Sequence, residues 1–323
     1  MNTLPRLKFA HLPTPVEALP RLSAALGGST LLVKRDDQTG MAMGGNKTRK
    51  LEFLLAEAQA HGARTIVTDG AVQSNHCRQS AAAAARYGFQ CILVLGGDRP
   101  SSASGNLLLD QLFGAEFVWV KHSEREQALR QTFDRAWEAG MRPYLIPYGG
   151  SNPTGAAAYA HAFLELVQQG YHPDWIVFAS SSGGTQAGLV AGARLAGFQG
   201  RLLGISVDKP KRELQEQVAS LASETIELLG EPATYLPHEI LVNDDYVGAG
   251  YGIMGEAEKE AITLFARHEG LLLDPVYTGR AAAGMIDLIR GKFFKPDESV
   301  LFWHTGGTPA LFAGQYQSNL TTS

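Results

Sequence analysis

Residues 175–195 read WIVFASSSGGTQAGLVAGARL. The apolar run Trp175–Ala179 has the length and bulk of a buried strand. Ser180–Gly188 (SSSGGTQAG) is a small-residue loop, and the helical pattern runs over Thr185–Leu195. A strand that ends in a Ser/Gly/Thr loop and feeds a helix presents backbone N–H groups at the helix start, which is physically a seat for phosphate. No Gly-Lys-Ser/Thr follows and no GxGxxG spacing is present, so neither common nucleotide loop is indicated. Taken alone, a tight strand-to-helix turn is the plainer reading.

The same unit recurs outward from this stretch. Thr65–Thr68 (TIVT) precedes a helix over Asn75–Tyr87, Cys91–Leu95 (CILVL) one over Gly105–Phe113, and Glu116–Val120 (EFVWV) one over Ser123–Ala139. Leu202–Val207 precedes Arg212–Leu229, and Val300–Trp303 (VLFW) comes last. Strands alternating with helices predict an α/β chain of parallel sheets covered by helices on both faces. Gly149–Gly155 (GGSNPTG) reads as the junction between two such units, with one sheet before it and one after. The cleft between them is the natural ligand site.

Composition agrees with this. The 323 residues suggest about two domains, and 45% hydrophobic against 19% charged residues supports a sizeable core. With 28 Lys and Arg against 32 Asp and Glu there is no basic excess for nucleic acid. No apolar run spans a bilayer, and Met1–Pro15 lacks the apolar centre of a signal peptide. The two cysteines, Cys77 and Cys91, cannot build a disulfide framework. A reducing, cytoplasmic setting is expected.

Four further stretches carry chemistry. In Gly44–Glu52 (GGNKTRKLE), two glycines precede Asn46 and Lys47, and a helix follows with Leu51, Leu54, Leu55 and Ala58 on one face. At the helix start the dipole opposes the Lys47 ammonium, and Lys50 adds a like charge one turn on. Both effects lower the Lys47 pKa, which suits a lysine that forms a Schiff base; a solvated basic helix start is the bland alternative. In Gln73–Arg78 (QSNHCR), Ser74 is a good N-cap, and the helix start is an anion seat for a substrate carboxylate, with Asn75 and His76 at the same mouth. Leu273–Arg280 (LDPVYTGR) and His304–Pro309 (HTGGTP) lie in turns, the second at a strand's carboxyl end, where open α/β sheets bind ligands. Loop packing explains each of these two equally well when taken singly.

Together, GGNKTRKLE, QSNHCRQ, DPVYTG and HTGG in this order resemble the fold-type II pyridoxal-phosphate enzymes of the 1-aminocyclopropane-1-carboxylate deaminase / D-cysteine desulfhydrase group, over nearly the whole chain. The resemblance implies a tryptophan synthase β-like fold of two three-layer α/β domains with mainly parallel sheets. Residues 49–154 would form the small domain, and 1–48 plus 155–323 the large, cofactor-binding one. It implies pyridoxal 5'-phosphate held by Lys47 as a Schiff base, Asn75 on the cofactor's phenolic oxygen, and Lys50 with Ser182, Gly183, Gly184 and Thr185 on the phosphate. Thr278 would face the pyridine nitrogen, Tyr251 and Tyr277 would flank the reacting carbons as catalytic groups, and Ser74, Asn75 and His76 would meet the substrate. It implies a homodimer acting on a small amino acid, with no metal.

Within this group, true cyclopropane deaminases carry SNQ and VYEG where this chain has SNH (His76) and VYTG (Thr278). A carboxylate opposite the pyridine nitrogen deepens the cofactor's electron sink, which ring opening requires. A neutral threonine suits β-elimination, where the leaving group departs as the α-proton is lost. The expected activity is therefore a carbon–sulfur lyase acting on D-cysteine, with L-cysteate elimination and then cyclopropane ring opening as alternatives. The chain departs from the pattern at Asp69 (TDGAVQ), where relatives carry a small or apolar residue, and at Gly252–Gly255 (GIMG), which lacks the proline often found after GYG. Two other classes are a cofactor-binding protein without lyase activity and a metal hydrolase using His76 and Cys77. The second has poor ligand spacing and no HExxH or CxxC.

Overall fold

The computed structural model of the protein describes residues 2–27 and 30–320. In chain order the elements are β1 (Val16–Ala18), α1 (Pro20–Leu26), β2 (Thr30–Arg35), α2 (Asn46–Ala60), β3 (Thr65–Ala71), α3 (Asn75–Tyr87), β4 (Gln90–Gly96), α4 (Gly105–Leu112), β5 (Glu116–Val120), α5 (Arg125–Glu138) and β6 (Pro143–Leu145). There follow α6 (Pro153–Gln168), β7 (Trp175–Ser180), α7 (Gly184–Leu195), β8 (Arg201–Ser206), α8 (Lys211–Leu228), β9 (Leu241–Asn243), α9 (Glu256–Glu269), α10 (Thr278–Arg290), β10 (Ser299–His304) and α11 (Gly314–Leu320).

The strands form two sheets, one of six strands in the order β1-β2-β10-β7-β8-β9 and one of four in the order β5-β4-β3-β6. All pairings are parallel except β1 with β2. Buried strands such as WIVFAS carry apolar side chains on both faces, and helices cover both. On the larger sheet, α1, α9 and α10 supply one apolar layer, while α6 and α7 pack on the other. On the smaller sheet, Leu51, Leu54 and Leu55 of α2 join Ala81 and Ala84 of α3 beneath one face, and Ala128, Leu129 and Ala136 of α5 cover the other.

Each of the six expected strands is present, with ends shifted by a few residues at most. Strands β1, β2, β6 and β9 and helices α1, α6, α9, α10 and α11 were not expected from the apolar runs. The stretch 149–155 is a turn followed by the start of α6, where Pro153 takes the first helical position and Asn152 caps by accepting from the Gly155 N–H at 2.8 Å. Among the described residues, no helix is long and apolar enough to cross a membrane.

Candidate active site

The carboxyl ends of β3, β6, β7 and β10 open on one cleft, between the two sheets. Its lining includes Asn46 and Lys47 from the start of α2, Ser74, Asn75 and His76 from the start of α3, the β7 loop from Ser180 to Thr185, Tyr148, Tyr277, Thr305 and Gly306. Crossover connections bring these ends together, which is why residues far apart in sequence share one site.

Lys47 is placed by an unusual backbone approach. Gly44 has φ +65° and Gly45 φ +123°, both in the left-handed region that favours glycine. A Cβ on Gly44 would overlap the Asp37 carbonyl. The Asn46 N–H then donates to the Thr305 carbonyl at 2.9 Å, joining the start of α2 to the end of β10. The Lys47 amine donates to the Gly149 carbonyl at 2.9 Å, and Lys50 donates to the same oxygen at 3.2 Å and to Ser151 Oγ at 3.2 Å. Burial pushes the Lys47 amine down to about 8, while its contact with Lys50 works the other way. The cause is thus desolvation, and the contact with Lys50, which the sequence suggested would lower the value, acts in the opposite direction. Burial, followed by the charge on Lys47, holds Lys50 well below its ordinary value.

Ser74 caps α3, accepting from the Cys77 N–H at 3.2 Å, which leaves its own O–H free to donate. The Asn75 carbonyl oxygen accepts from Arg78 Nη1 at 3.1 Å and from Asn106 Nδ2 at 3.0 Å. With its oxygen held from behind, Asn75 presents its NH₂ as the donor end. His76 Nε2 lies 2.8 Å from Thr68 Oγ1, which itself donates to the Ile146 carbonyl at 2.7 Å. The hydrogen-bond network therefore assigns the His76 proton to Nε2 and leaves Nδ1, buried and without a protein partner, as an acceptor. Burial first, then Lys47 and Lys50, hold the ring well below its usual pKa, so it is neutral. Cys77 is buried, and its thiol is pushed well up by burial, which makes it a poor nucleophile.

At the opposite wall, Gly183 begins α7 with φ +76°. A Cβ on Gly184 would stand 2.5 Å from Ser151 Oγ and 2.7 Å from Lys50 Nζ. Ser151 Oγ lies 2.8 Å from Ser182 Oγ, and Asn46 donates to Thr185 Oγ1 at 3.0 Å. Lys50 and the 182–185 loop thus converge from two different elements. The Tyr251 and Tyr277 hydroxyls are 2.6 Å apart, with their rings edge to face at 5.9 Å. Thr278 is not among the residues that line the cleft; its hydroxyl donates to Asp274 Oδ1 at 2.7 Å and accepts from the Asp274 N–H at 2.7 Å.

Of the residues singled out from sequence, Lys47, Ser74, Asn75, His76, Ser182, Gly183, Thr185 and Tyr277 line the cleft. Lys50, Gly184, Tyr251 and Thr278 stand directly behind it, bonded or packed to lining residues or, for Thr278, to Asp274. Sequence reasoning missed Tyr148. It follows the three-residue strand β6, too short for its alternation to be read, and only its place before Gly149 hinted at the cleft.

The chain belongs to the PALP family of pyridoxal-phosphate dependent enzymes, whose profile matches residues 7–306. It is similar to a solved structure described as an ACC deaminase homologue, at 36% identity and a TM-score of 0.90, covering 98% of this chain and 95% of that one. A pyridoxal 5'-phosphate-dependent aspartate racemase shares the fold at 18% identity and a TM-score of 0.64, with 91% and 90% of the two chains covered. The residues present fit this cofactor. Two buried lysine amines share one carbonyl and form no ion pair among the described residues, and Ser180 Oγ is buried at the cleft without a partner. A phosphate would answer the unmatched positive charge.

Proposed function

We propose that the protein is a pyridoxal-phosphate-dependent lyase that removes the α-proton and the β-substituent of a small amino acid, with D-cysteine as its substrate. The balanced reaction is D-cysteine plus water to pyruvate, hydrogen sulfide and ammonia. The observation that carries the choice of elimination is Asp274. Its Oδ1 accepts from the Thr278 N–H and hydroxyl, and its Oδ2 accepts from the N–H groups of Val276 and Tyr277. The carboxylate nearest the Tyr277–Thr278 turn is thereby used up in starting α10. With that carboxylate engaged, the cofactor's ring nitrogen would lack an ionic partner at this turn, which suits a reaction whose electron pair leaves with sulfur.

When bound, the cofactor supplies the electron sink that acidifies the substrate's α-carbon. Lys47 would hold it, Lys50, Ser182, Gly183, Gly184 and Thr185 would receive its phosphate, and Asn75 would donate to its ring oxygen. The free O–H of Ser74 and the start of α3 orient the substrate carboxylate. The Lys47 amine, depressed to about 8, accepts the α-proton at Nζ. The Tyr251–Tyr277 hydroxyl pair passes a proton toward the leaving group. His76 Nδ1 accepts a hydrogen bond from a thiol S–H and offers no positive charge to a sulfonate.

Release of keto acid and sulfide from D-cysteine, L-cysteine, L-cysteate and 1-aminocyclopropane-1-carboxylate tests the reading. Pyruvate with sulfide from D-cysteine is expected. Sulfite from L-cysteate, or 2-oxobutanoate from the cyclopropane with D-cysteine inert, would replace it. The cyclopropane reading is favoured by one observation, the name carried by the solved structure at 36% identity.

A further inference from the structure

We infer that Tyr148, clamped by Arg125, is the wall that selects the substrate's side chain, and that Asp69 keeps this wall electrically neutral, so that the site takes small amino acids with an uncharged β-substituent. The inference rests on the lyase reading of the same cleft and names its substrate class.

Tyr148 lines the cleft immediately before Gly149, whose carbonyl holds Lys47. Arg125, the first residue of α5 and not among the lining residues, stacks its guanidinium 4.4 Å from the ring centroid. Asp69, near the end of β3, places Oδ2 at 2.6 Å from Arg125 Nε. Arg125 reaches this position because residue 96 is glycine; a Cβ there would stand 3.2 Å from Arg125 Cδ. Ser181, whose hydroxyl donates to Asp208 Oδ2 at 3.0 Å, and Tyr277 line the same cleft as Tyr148. An aromatic side chain therefore shares the cleft with the reactive lysine.

The Asp69–Arg125 pair is poorly explained as a stabilising contact. Asp69 is buried, yet its Oδ1 has no partner among the described residues, and a buried pair with an unsatisfied oxygen is weak evidence for stability. Its clear consequence is charge cancellation. Without Asp69, a cation would lie against the back of the ring that faces the substrate, and an anionic side chain in front would be attracted through it. Lys47 and Lys50 are committed to cofactor, and His76 is neutral. With Asp69 in place, no positive charge remains for a sulfonate or a second carboxylate.

The test uses the cofactor-loaded enzyme and reads binding by the change in cofactor absorbance, with both enantiomers of alanine, serine, aspartate and cysteate. The wild type is expected to bind serine at least about tenfold more tightly than cysteate. Asp69→Asn should move that ratio about tenfold toward the anions. Arg125→Gln, which breaks the same pair, should not move it that way. Tyr148→Ala should admit longer side chains, and Tyr148→Phe should keep the wild-type order. Equal binding of serine and cysteate by the wild type would overturn the inference, as would equal shifts in the Asp69→Asn and Arg125→Gln variants. If Asp69→Asn does not fold, the wild-type ratio decides alone. Pyruvate and sulfide release from D-cysteine is followed with the same enzyme preparations. Selective binding without product would overturn the lyase reading and leave this one standing.

Discussion

Helix α2 carries buried cations on two sides, and the two sides are built on opposite rules. Arg49 points away from the cleft into a closed network. It bonds to Asp36 at 2.8 and 3.0 Å and to Glu165 at 2.9 Å, while Lys34 donates to Glu165 at 2.7 Å. Tyr159 and Trp303 donate to the same Asp36 oxygen at 2.6 and 2.8 Å. Two cations face two carboxylates there. Lys47 and Lys50 point the other way and share a single neutral carbonyl. Matched buried charge fixes the helix; unmatched buried charge awaits an anion from outside.

The largest expected effect lies on the unmatched side. Lys47→Ala should lower turnover by about 10⁴-fold or more, since one nitrogen both carries the cofactor and moves the proton. Borohydride reduction of the wild type should label Lys47 alone; labelling of another lysine in the variant would move the assignment. The depressed amine also gives a pH rule. Below about 8 the amine is protonated and unreactive, and above it neutral. Covalent capture of the cofactor by the cofactor-free protein should therefore rise about tenfold per pH unit up to that value and then level off.

The next effect breaks the matched side. Arg49→Met leaves Asp36 and Glu165 short of a partner and should lower stability by about 3–5 kcal/mol in urea unfolding, with cofactor affinity per folded molecule little changed. Arg49 and Lys34 hold both carboxyls below their ordinary range against the opposing effect of burial. Their folded pKa lies below the unfolded one, so this stability is present above the unfolded carboxylate pKa, about 4, and is lost as pH falls through the folded values. In the variant the folded values move up toward the unfolded one, so less stability should be lost over that range and the acid dependence should flatten. An unchanged acid transition would show that the network contributes little.

Much of this contrast was legible in the sequence on one side only. GGNKTRKLE marks Lys47 and Lys50 because two lysines one turn apart at a helix start meet the positive end of its dipole and each other, and strands such as WIVFA announce themselves by unbroken apolarity. The matched network leaves no such mark. Lys34, Asp36, Arg49 and Glu165 sit in separate elements, and only the fold brings them together. Short elements were equally silent: β6 is three residues long, and Tyr148 beyond it came to notice through the cleft. Thr278 shows a further limit, since a motif names a residue without telling which way its hydroxyl turns.

A smaller effect separates the two lysines. Lys50→Ala should weaken cofactor affinity by about 2 kcal/mol, roughly thirtyfold, through lost charge-assisted hydrogen bonds to phosphate. Inorganic phosphate should compete with cofactor in the wild type and much less in the variant. A variant that bound cofactor normally but failed to turn over would give Lys50 a chemical role instead.

The smallest effect concerns a residue that touches the cleft only through another. Asn106 Nδ2 donates to the Asn75 oxygen at 3.0 Å and to the Gln73 carbonyl at 2.9 Å, while its own oxygen accepts from Arg78 Nη1 at 2.8 Å. Arg78 Nη2 in turn donates to the Gly44 carbonyl at 2.8 Å, tying this network to the approach of Lys47. Asn106 is thus a positioning residue that keeps the Asn75 NH₂ toward the cleft. Asn106→Ala removes one of two holds on that amide and should cost about 1 kcal/mol of cofactor affinity, near fivefold. A general loosening of α4 would give the same number, so affinity alone does not decide. The deciding readout is a cofactor analogue lacking the ring oxygen. The wild type should prefer the natural cofactor over the analogue, and Asn106→Ala should lose about fivefold of that preference. Asn106→Asp should lose more, because a carboxylate there repels the Asn75 oxygen and turns the amide so that an acceptor faces the cofactor's oxygen. If both variants weaken cofactor and analogue alike, Asn106 serves packing only, and the orientation of Asn75 is set by Arg78.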